Sequence, residues 1–277
     1  MPTPSPTSSP SPTPSLGVPR PDQAAYMLRA AERDAGRAYK ARLLDLLDVR
    51  AGHTVLDLGC GPGTDLPALA DRAGARGTVI AVDRDPDMLA RARERTAGRA
   101  GVEFRAGDAH DLPVADGAVD RARTDRMLMH VADPARVLAE LRRVTRPGAR
   151  IGLAEPDWDT LVVDSEDLET SRAFTGYTTS VAVRNATIGR SLPRLAERAG
   201  FRVETVFTET PHFGKVEDAD YALGLGRNME RAIAEGRVTE ERGRRWFAGL
   251  SQGPFFASFT LVAVVCVRPG DASGGAR

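Results

Sequence analysis

The chain has 277 residues, of which 42% are hydrophobic, and its 38 basic residues balance its 38 acidic ones. That length fits one large α/β domain or a domain with a cap, and the apolar content is enough for a substantial core. A net charge of zero argues against a polyanionic substrate such as nucleic acid, because binding one takes a basic surface.

The two cysteines, Cys60 and Cys266, lie far apart in the sequence. Such a pair supplies neither a disulfide framework nor a metal-ligand spacing, so we expect no metal and a reducing, cytoplasmic compartment. No run of about 18 apolar residues is present, which argues against a membrane span. The N-terminus also lacks the basic and apolar regions of a secretory signal peptide.

Residues 1–20 are rich in Pro, Ser and Thr and contain few apolar side chains. Such a segment cannot bury enough surface to offset the entropy lost on ordering, so we predict a disordered tail. From residue 22 to residue 49, apolar side chains recur every three or four positions. This spacing predicts a helical region, with a break at Gly36.

Short β-branched runs then alternate with helical stretches. The predicted strands are 53–58, 77–83, 102–107, 118–123 and 149–155, and the predicted helices are 65–73, 87–96 and 134–145. Strands that alternate with helices predict a doubly wound, Rossmann-like α/β fold with a mostly parallel sheet and helices on both faces.

The pattern changes after residue 155. Residues 156–187 have weak periodicity, and a helix (191–200), a strand (201–209), a helical insert (217–250) and a last strand (255–269) follow. We predict a seven-stranded sheet whose C-terminal strand is antiparallel. The domain would span 21–270 with a core at about 50–210, inserts at about 156–190 and 211–250 would cap an acceptor site, and 271–277 would be a flexible tail.

Three glycines at alternate positions, Gly59, Gly61 and Gly63, follow the first predicted strand. Ligands of open parallel sheets bind beyond the carboxyl ends of the strands, where glycines allow a tight turn and a close approach of the backbone. The second strand ends in Asp83, whose carboxylate can accept hydrogen bonds from both hydroxyls of a ribose. Together these features predict a nucleoside-containing cofactor.

The glycine pattern departs from the dinucleotide fingerprint, because Thr64 stands where a third glycine or alanine is expected. Asp65 then begins the next helix, and a carboxylate at a helix N-terminus disfavours a pyrophosphate there. Both features favour a cofactor whose central part is not an anion.

Four successive segments resemble the motifs of class I S-adenosylmethionine-dependent methyltransferases. They are "VLDLGCGPGTD" (55–65), "AVDRDPDML" (81–89), "RAGDAHDLPVADGAVD" (105–120) and "MLMHVADPARVLAELRRVTRPGARIGLAEPDW" (127–158). The branch resembled is the small-molecule one that includes ubiquinone and menaquinone methyltransferases and many natural-product enzymes. The resemblance covers about 50–210.

The resemblance implies S-adenosylmethionine as the cofactor, with the glycine turn under its methionine part and Asp57 supporting that turn. It implies that Asp83 binds the ribose and that Arg84 flanks the adenine, which Asp108 and the amide of Ala109 also bind. The cofactor-binding residues implied in this way are Asp57, Gly59, Cys60, Gly61, Gly63, Asp83, Arg84, Asp108, Ala109 and Thr124.

Methyl transfer from a sulfonium is an in-line displacement, which needs a base only if the nucleophile carries a proton that must leave. His130 follows the fourth strand on the cofactor side and is our first candidate for that base, because histidine titrates near neutrality. A role in fixing its loop is the alternative. His212, after the sixth strand, is the second candidate.

The acceptor pocket should come from the irregular regions, and ordinary packing of the cap is the alternative for each of its candidates. Those candidates are Trp158, Tyr177, Arg184, Asn185 and His212. The inserts favour an enclosed pocket for a small acceptor methylated at O, N or C, including a secondary metabolite. Three alternatives stay open: cyclisation or rearrangement with the same cofactor, a nicotinamide-dependent oxidoreductase, and a non-catalytic partner. The sequence does not indicate an oligomeric state.

Overall fold

A computed structural model describes residues 15–19 and 22–270, and its central feature is one twisted sheet. In this part of the chain the strands are β1 Thr54–Leu58, β2 Thr78–Asp83, β3 Val102–Ala106, β4 Val119–Asp125, β5 Thr145–Val163, β6 Arg202–Glu209, β7 His212–Phe213 and β8 Ala257–Val267. Seven of them form the order β3-β2-β1-β4-β5-β8-β6, and the two-residue β7 pairs with β8. β8 runs antiparallel to β5 and β6, while β1 to β5 pair in parallel. The predicted sheet is therefore confirmed, with β7 as an addition.

Helices cover both faces of the sheet, as the alternation of elements predicts. They are α1 Gln23–Glu32, α2 Asp34–Leu47, α3 Leu66–Ala73, α4 Pro86–Arg95, α5 Pro134–Val144, α6 Leu168–Tyr177, α7 Ile188–Arg198, α8 Val216–Leu223, α9 Leu225–Ala234 and α10 Glu240–Gly249, with a π-helical turn at Thr178–Ala182. One face packs on apolar side chains of α5 and α7, and the other on those of α2, α3 and α4. None of the helices in the described ranges is both long and apolar enough to cross a membrane.

The break between the N-terminal helices lies at Arg33, which is extended, and not at Gly36 as predicted. Gly36 is instead in the first turn of α2, where an added Cβ would lie 2.3 Å from the carbonyl oxygen of Ala30. The glycine therefore serves the close approach of the two helices. The sequence pattern singled out Gly36 as a helix break but did not indicate this close packing.

Strand β5 continues eight residues beyond its predicted end at 155. Its parallel neighbour β4 stops at Asp125, but antiparallel β8 continues to pair with it, from Pro156 opposite Leu261 to Val163 opposite Ala257. The extension carries Trp158 into a second apolar cluster, formed with α6 and α8 to α10. The two inserts thus share a core of their own at the end of the sheet.

Of the predicted N-terminal tail, only residues 15–19 are described, and the predicted tail at 271–277 lies outside the described residues. Residues 15–19 lie against the second insert. Val18 donates its amide to Asp220 at 2.6 Å, and the amide of Leu16 donates to Glu230.

Candidate functional site

The glycine turn after β1 lies beside the end of β2. Gly59, Gly61 and Gly63 have φ angles of 71°, 53° and 76°, a region that side chains disfavour. The amides of Gly59 and Cys60 both donate to the carbonyl of Val82, at 2.8 Å and 3.1 Å. These contacts join the turn to the neighbouring strand and fix its position at the carboxyl edge of the sheet.

The three glycines differ in what lies next to them. An added Cβ on Gly59 would meet the side chain of Met127 at 2.6 Å, and one on Gly61 would meet the sulfur of Met27 at 3.0 Å. Methionine side chains are flexible, so these two glycines present a bare backbone face under groups that can move. A Cβ on Gly63 would instead meet α4 at Ala92, 3.0 Å away. We call the bare backbone at Gly59 and Gly61 the cradle, whereas Gly63 allows the close packing of α4 against the turn.

Cys60 is buried among these glycines. Burial raises the pKa of its thiol, so the thiol stays protonated.

Asp83 ends β2 with a half-buried carboxylate. Its Oδ2 accepts the amide of Gly61 at 2.8 Å, and its Oδ1 accepts the amide of Asp85 at 3.0 Å. Each oxygen keeps a free lone pair, so the group can still accept two hydroxyls. A cradle of bare backbone beside such a carboxylate fits a nucleoside cofactor.

The loop after β3 carries the residues expected at an adenine. Asp108 is exposed and accepts the amide of His110 at 2.9 Å, and the His110 ring lies 2.6 Å away. The amide and ring of His110 hold the pKa of Asp108 below its usual value, so it is a carboxylate at neutral pH. Ala109 is half-buried, and Arg84 is exposed on the adjoining loop after β2. All four follow the carboxyl ends of adjacent strands.

A buried ionic cluster lies beside the glycine turn. Nζ of Lys40, on α2, is 2.5 Å from Asp65 and 2.6 Å from Asp125. Arg123 of β4 contacts the same two carboxylates at 2.5 Å and 2.8 Å. Burial alone would raise the pKa of Asp65, but Arg123 and Lys40 bring it below its usual range. The charge of Asp65 is compensated, so this residue does not by itself exclude an anionic ligand.

Two further groups complete the cluster. Asp57 of β1 is buried, 3.7 Å from Arg123, and burial raises its pKa to about 6. The hydroxyl of Tyr39 lies 3.0 Å from both oxygens of Asp125, and burial raises its pKa to about 12. The neighbouring Thr124 is fully buried, and its Oγ1 has no hydrogen-bond partner among the described residues.

The loop after β4 is held by a buried carboxyl group. Glu155 of β5 accepts the amides of Met127 and Leu128 at 2.8 Å and 2.5 Å, and that of Met129 at 3.3 Å. Burial raises the pKa of Glu155 to about 8 against the effect of these donors. His130 follows directly and is exposed, and it lines neither of the two cavities described below. Desolvation, together with the charge of Arg84, lowers the pKa of His130 from its usual value, so the neutral ring predominates at pH 7.

A cavity of about 370 Å³ lies between the N-terminal helices and the second insert. Its walls include Tyr26, Tyr39, Arg126, Trp158, Phe213 and Tyr221. His212 also lines it, so two of the five residues expected at the acceptor, Trp158 and His212, meet there. This size is within the usual range of small-molecule pockets.

The other three acceptor candidates lie elsewhere. Tyr177 is buried at the end of α6 and does not line this cavity. Arg184 and Asn185 line a more open cavity of about 300 Å³ beside α7. The side-chain amide of Asn185 donates to the carbonyls of Leu128 and Val131, both at 2.8 Å. Asn185 thus holds the loop that carries His130.

Helix α1 contacts both α4, next to the glycine turn, and α8, in the second insert. Its N-cap Asp22 pairs with Arg91 of α4 at 3.1 Å, and its Arg29 pairs with Asp218 of α8 at 2.6 Å. Met27, between them, covers Gly61. One helix therefore touches the cofactor-side helices, the glycine turn and the second insert.

Four ionisable residues of this region were not predicted from the sequence: Lys40, Arg123, Arg126 and Glu155. A signal was present in "DRARTDR" (120–126), because charges inside a strand of a parallel sheet are rarely buried unless paired. Their partners were not readable, since Lys40 and Asp125 are 85 residues apart in the sequence.

Three comparisons place the chain among known proteins. The "Methyltransferase domain" family matches residues 50–200, from the loop before β1 to the end of α7. An uncharacterized 37.1 kDa protein in transposon TN4556 of Streptomyces fradiae is 51% identical over 245 residues, 88% of this chain and 71% of that protein. A demethylmenaquinone methyltransferase of Paenarthrobacter aurescens is 39% identical over 43% of this chain, which spans only 45% of that enzyme.

Solved structures with a similar fold are also methyltransferases by their descriptions. The crystal structure of a putative methyltransferase from Bacillus halodurans superposes with a TM-score of 0.62 at 19% identity, covering 84% of this chain and 99% of that one. The family match covers more than half of this chain, including every strand that borders the glycine turn. The chain therefore belongs to the methyltransferase domain family, with S-adenosylmethionine as its cofactor, as the four motifs predict.

Proposed function

We propose that this protein transfers a methyl group from S-adenosylmethionine to an O, N or C atom of a small molecule, including a secondary metabolite, held in the 370 Å³ cavity. The observation that carries the proposal is the position of α1. Its Met27 covers Gly61 of the cradle, while the adjacent Tyr26 lines the cavity. The two binding regions are thus separated by no more than one helix.

The cofactor supplies an activated methyl group, so the protein has to bind, align and exclude water. The bare faces of Gly59 and Gly61 would hold the methionine part, with Asp57 and Thr124 beneath. Asp83 would accept the ribose hydroxyls. Asp108 and the amide of Ala109 would bind the adenine, and Arg84 would flank it. Cys60 and Gly63 would complete the turn under the methionine part.

We propose His130 as the base that takes the proton of the nucleophile, with His212 as the second candidate. His130 follows β4 close enough to Arg84 for that charge to lower its pKa, so it is a neutral base at pH 7. His212 lines the cavity and stacks near Phe256, with ring centroids 6.4 Å apart. Carbon acceptors that carry no acidic proton would need neither residue.

The walls of the cavity favour a small organic acceptor over a polymer. Aromatic rings from both inserts and from α1 line it, and two of its arginines lie over such rings. The guanidinium of Arg29 is 4.5 Å from the ring centroid of Tyr221, and that of Arg33 is 4.7 Å from the ring centroid of Phe213. A nucleic acid would need an open, basic groove instead.

The test is incubation with a trideuteromethyl form of the cofactor and a panel of phenols, carboxylic acids and amines, followed by mass spectrometry. We expect at least one product that has gained one labelled methyl group. Gly61→Val is the matched control, because it fills the cradle under Met27 at a residue with a φ of 53°. A product of unchanged mass would indicate cyclisation or rearrangement. Binding of NADH in place of S-adenosylhomocysteine would indicate an oxidoreductase.

A further inference from the structure

We infer that the acceptor is a planar, largely apolar molecule that carries one anionic group, a carboxylate or a phenolate, and that Arg126 binds this group. The inference rests on the proposed function, because it assigns a substrate class to the same cavity. Its basis is a guanidinium in the cavity wall that has no hydrogen-bonded anion among the described residues.

Arg126 is held in an uncommon backbone conformation. Its φ is 55°, in the left-handed region that non-glycine residues seldom adopt, and its amide donates to the carbonyl of Ala154 at 2.8 Å. Such strain persists where the surrounding structure fixes it, and it is common at ligand sites. Here it directs a long cationic side chain, 22% exposed, to the cavity wall at the end of β4.

The nearest anion does not satisfy this guanidinium. Nε of Arg126 is buried without a hydrogen-bond partner, and it lies 3.4 Å from Asp125 outside hydrogen-bonding geometry. Asp125 is already engaged by Lys40 at 2.6 Å, by Arg123 at 2.8 Å and by Tyr39 at 3.0 Å. Lys40 and Arg123 both donate to Oδ2, and Oδ1, the oxygen nearest to Arg126, is shared with the hydroxyl of Tyr39. The guanidinium therefore keeps hydrogen-bond donors for an anion from outside the chain.

The other charged groups of the cavity have partners or face the solvent. Arg29 and Arg33 both pair with Asp218, at 2.6 Å and 3.2 Å. The acidic residues Glu32 and Asp34 are exposed. Among the described residues that line the cavity, Arg126 is the arginine whose Nε is buried without a hydrogen-bond partner.

The remaining walls fit a flat ring system. Trp158 packs on Phe259 with ring centroids 4.7 Å apart, and Tyr26, Tyr39 and Phe213 add three further rings. Aromatic walls favour stacked or edge-to-face contacts with a planar ligand. The guanidinium fork matches a carboxylate bidentately and can also bind a phenolate oxygen.

The test is calorimetric titration with naphthoate and with naphthamide, two probes of one shape that differ in charge, on protein saturated with S-adenosylhomocysteine. We expect naphthoate to bind the wild-type protein about tenfold more tightly or better. Arg126→Met should abolish that preference, and Arg126→Lys should retain part of it, because lysine keeps the charge without the fork. Arg95→Met, at an exposed arginine of α4, should bind both probes as wild type does. Thermal melting of each variant checks that it is folded.

Four results would overturn the inference: equal binding of the two probes, no binding of either at millimolar concentration, a preference that survives in folded Arg126→Met, or a loss of S-adenosylhomocysteine affinity in that variant with probe binding unchanged. The last result would assign Arg126 to the cofactor. Failure of the proposed function is separate, since it would appear as absent binding of S-adenosylhomocysteine to the wild-type protein.

Discussion

The edge of the sheet at β1 to β4 and the cap formed by the inserts reach their binding residues in different ways. At the sheet edge, each candidate stands within a few residues of a strand end: Gly59 follows β1, Asp83 ends β2 and Asp108 follows β3. Parallel pairing brings those ends together whatever the loops contain. The wall of the cap cavity instead gathers residues from α1, α2, β5, β7, α8 and β8. Topology determines the first site, and long-range packing determines the second.

Lys40→Met gives the largest effect, because Lys40 ties α2, which forms part of the cavity wall, to the sheet edge. The substitution leaves Asp65 and Asp125 buried without one of their cations, and losing one partner of a buried ion pair costs about 3–5 kcal/mol of unfolding free energy. Urea unfolding measures it. Lys215→Met, at the other lysine, which is exposed, should stay within about 0.5 kcal/mol of wild type. A cost below about 1 kcal/mol for Lys40→Met would mean that the cluster does not hold α2 in place.

His130→Ala tests the proposed base once an acceptor with an acidic proton is known. We expect kcat to fall about 100-fold. The wild-type kcat/KM should rise with pH as the imidazolium loses its proton, with a midpoint below that of an ordinary histidine because the His130 pKa is lowered, and the variant should lack that rise. His53→Ala, just before β1 at the opposite edge of the sheet, is the control and should stay fully active. A fall of less than about tenfold would assign His130 to fixing the loop.

Asp83→Ala probes the sheet edge alone. Removing the carboxylate should weaken binding of S-adenosylhomocysteine by about 1–3 kcal/mol, roughly five- to 150-fold in Kd, because the ribose loses its charged acceptor. Calorimetry measures it. Asp87→Ala, in the first turn of α4, is the control: the Asp87 amide donates to Asp85, and the variant should bind as wild type does. Unchanged affinity in Asp83→Ala would remove this carboxylate from the site.

Asp22→Ala gives the smallest effect and probes the helix that spans both regions. Asp22 accepts the amide of Ala25 at 2.9 Å as the N-cap of α1, and loss of an N-cap costs about 1 kcal/mol. We expect hydrogen exchange in α1 to become about fivefold faster while exchange in the sheet is unchanged. Arg91→Gln, which removes only the exposed ion pair with Asp22, should change exchange by less than about twofold. Equal rates in Asp22→Ala and wild type would mean that this cap does not limit opening.

The sequence predicted the fold and the strand ends at which the candidate cofactor residues lie, because both depend on local signals. Short β-branched runs marked the strands. Closely spaced glycines marked the turn, where the structure shows the positive φ angles that glycine tolerates. Even there the roles of individual residues were not readable: Gly63 packs against Ala92, although it has the same sequence signature as Gly59 and Gly61.

The acceptor region was not predictable in the same way. Trp158 lines the cavity because β8 extends β5 past residue 155, and that pairing joins positions about a hundred residues apart. Asn185 is a polar residue in an insert, as an acceptor ligand would be, yet it holds the backbone at Leu128 and Val131. Residue type gives no means of separating these roles without the partners.

The position of β8 has a consequence for how the molecule is made. β8 lies between β5 and β6, which both precede it in the chain, and it supplies Phe259 and Leu261 to the cavity. While the ribosome still holds residues 257–267, the glycine turn and its neighbouring strands can already be paired, but β6 has nothing to pair with and the cavity lacks a wall. The sheet edge at the glycine turn can therefore form in a nascent chain well before the cavity is complete, and the unpaired edge of β5 needs protection until β8 has left the ribosome.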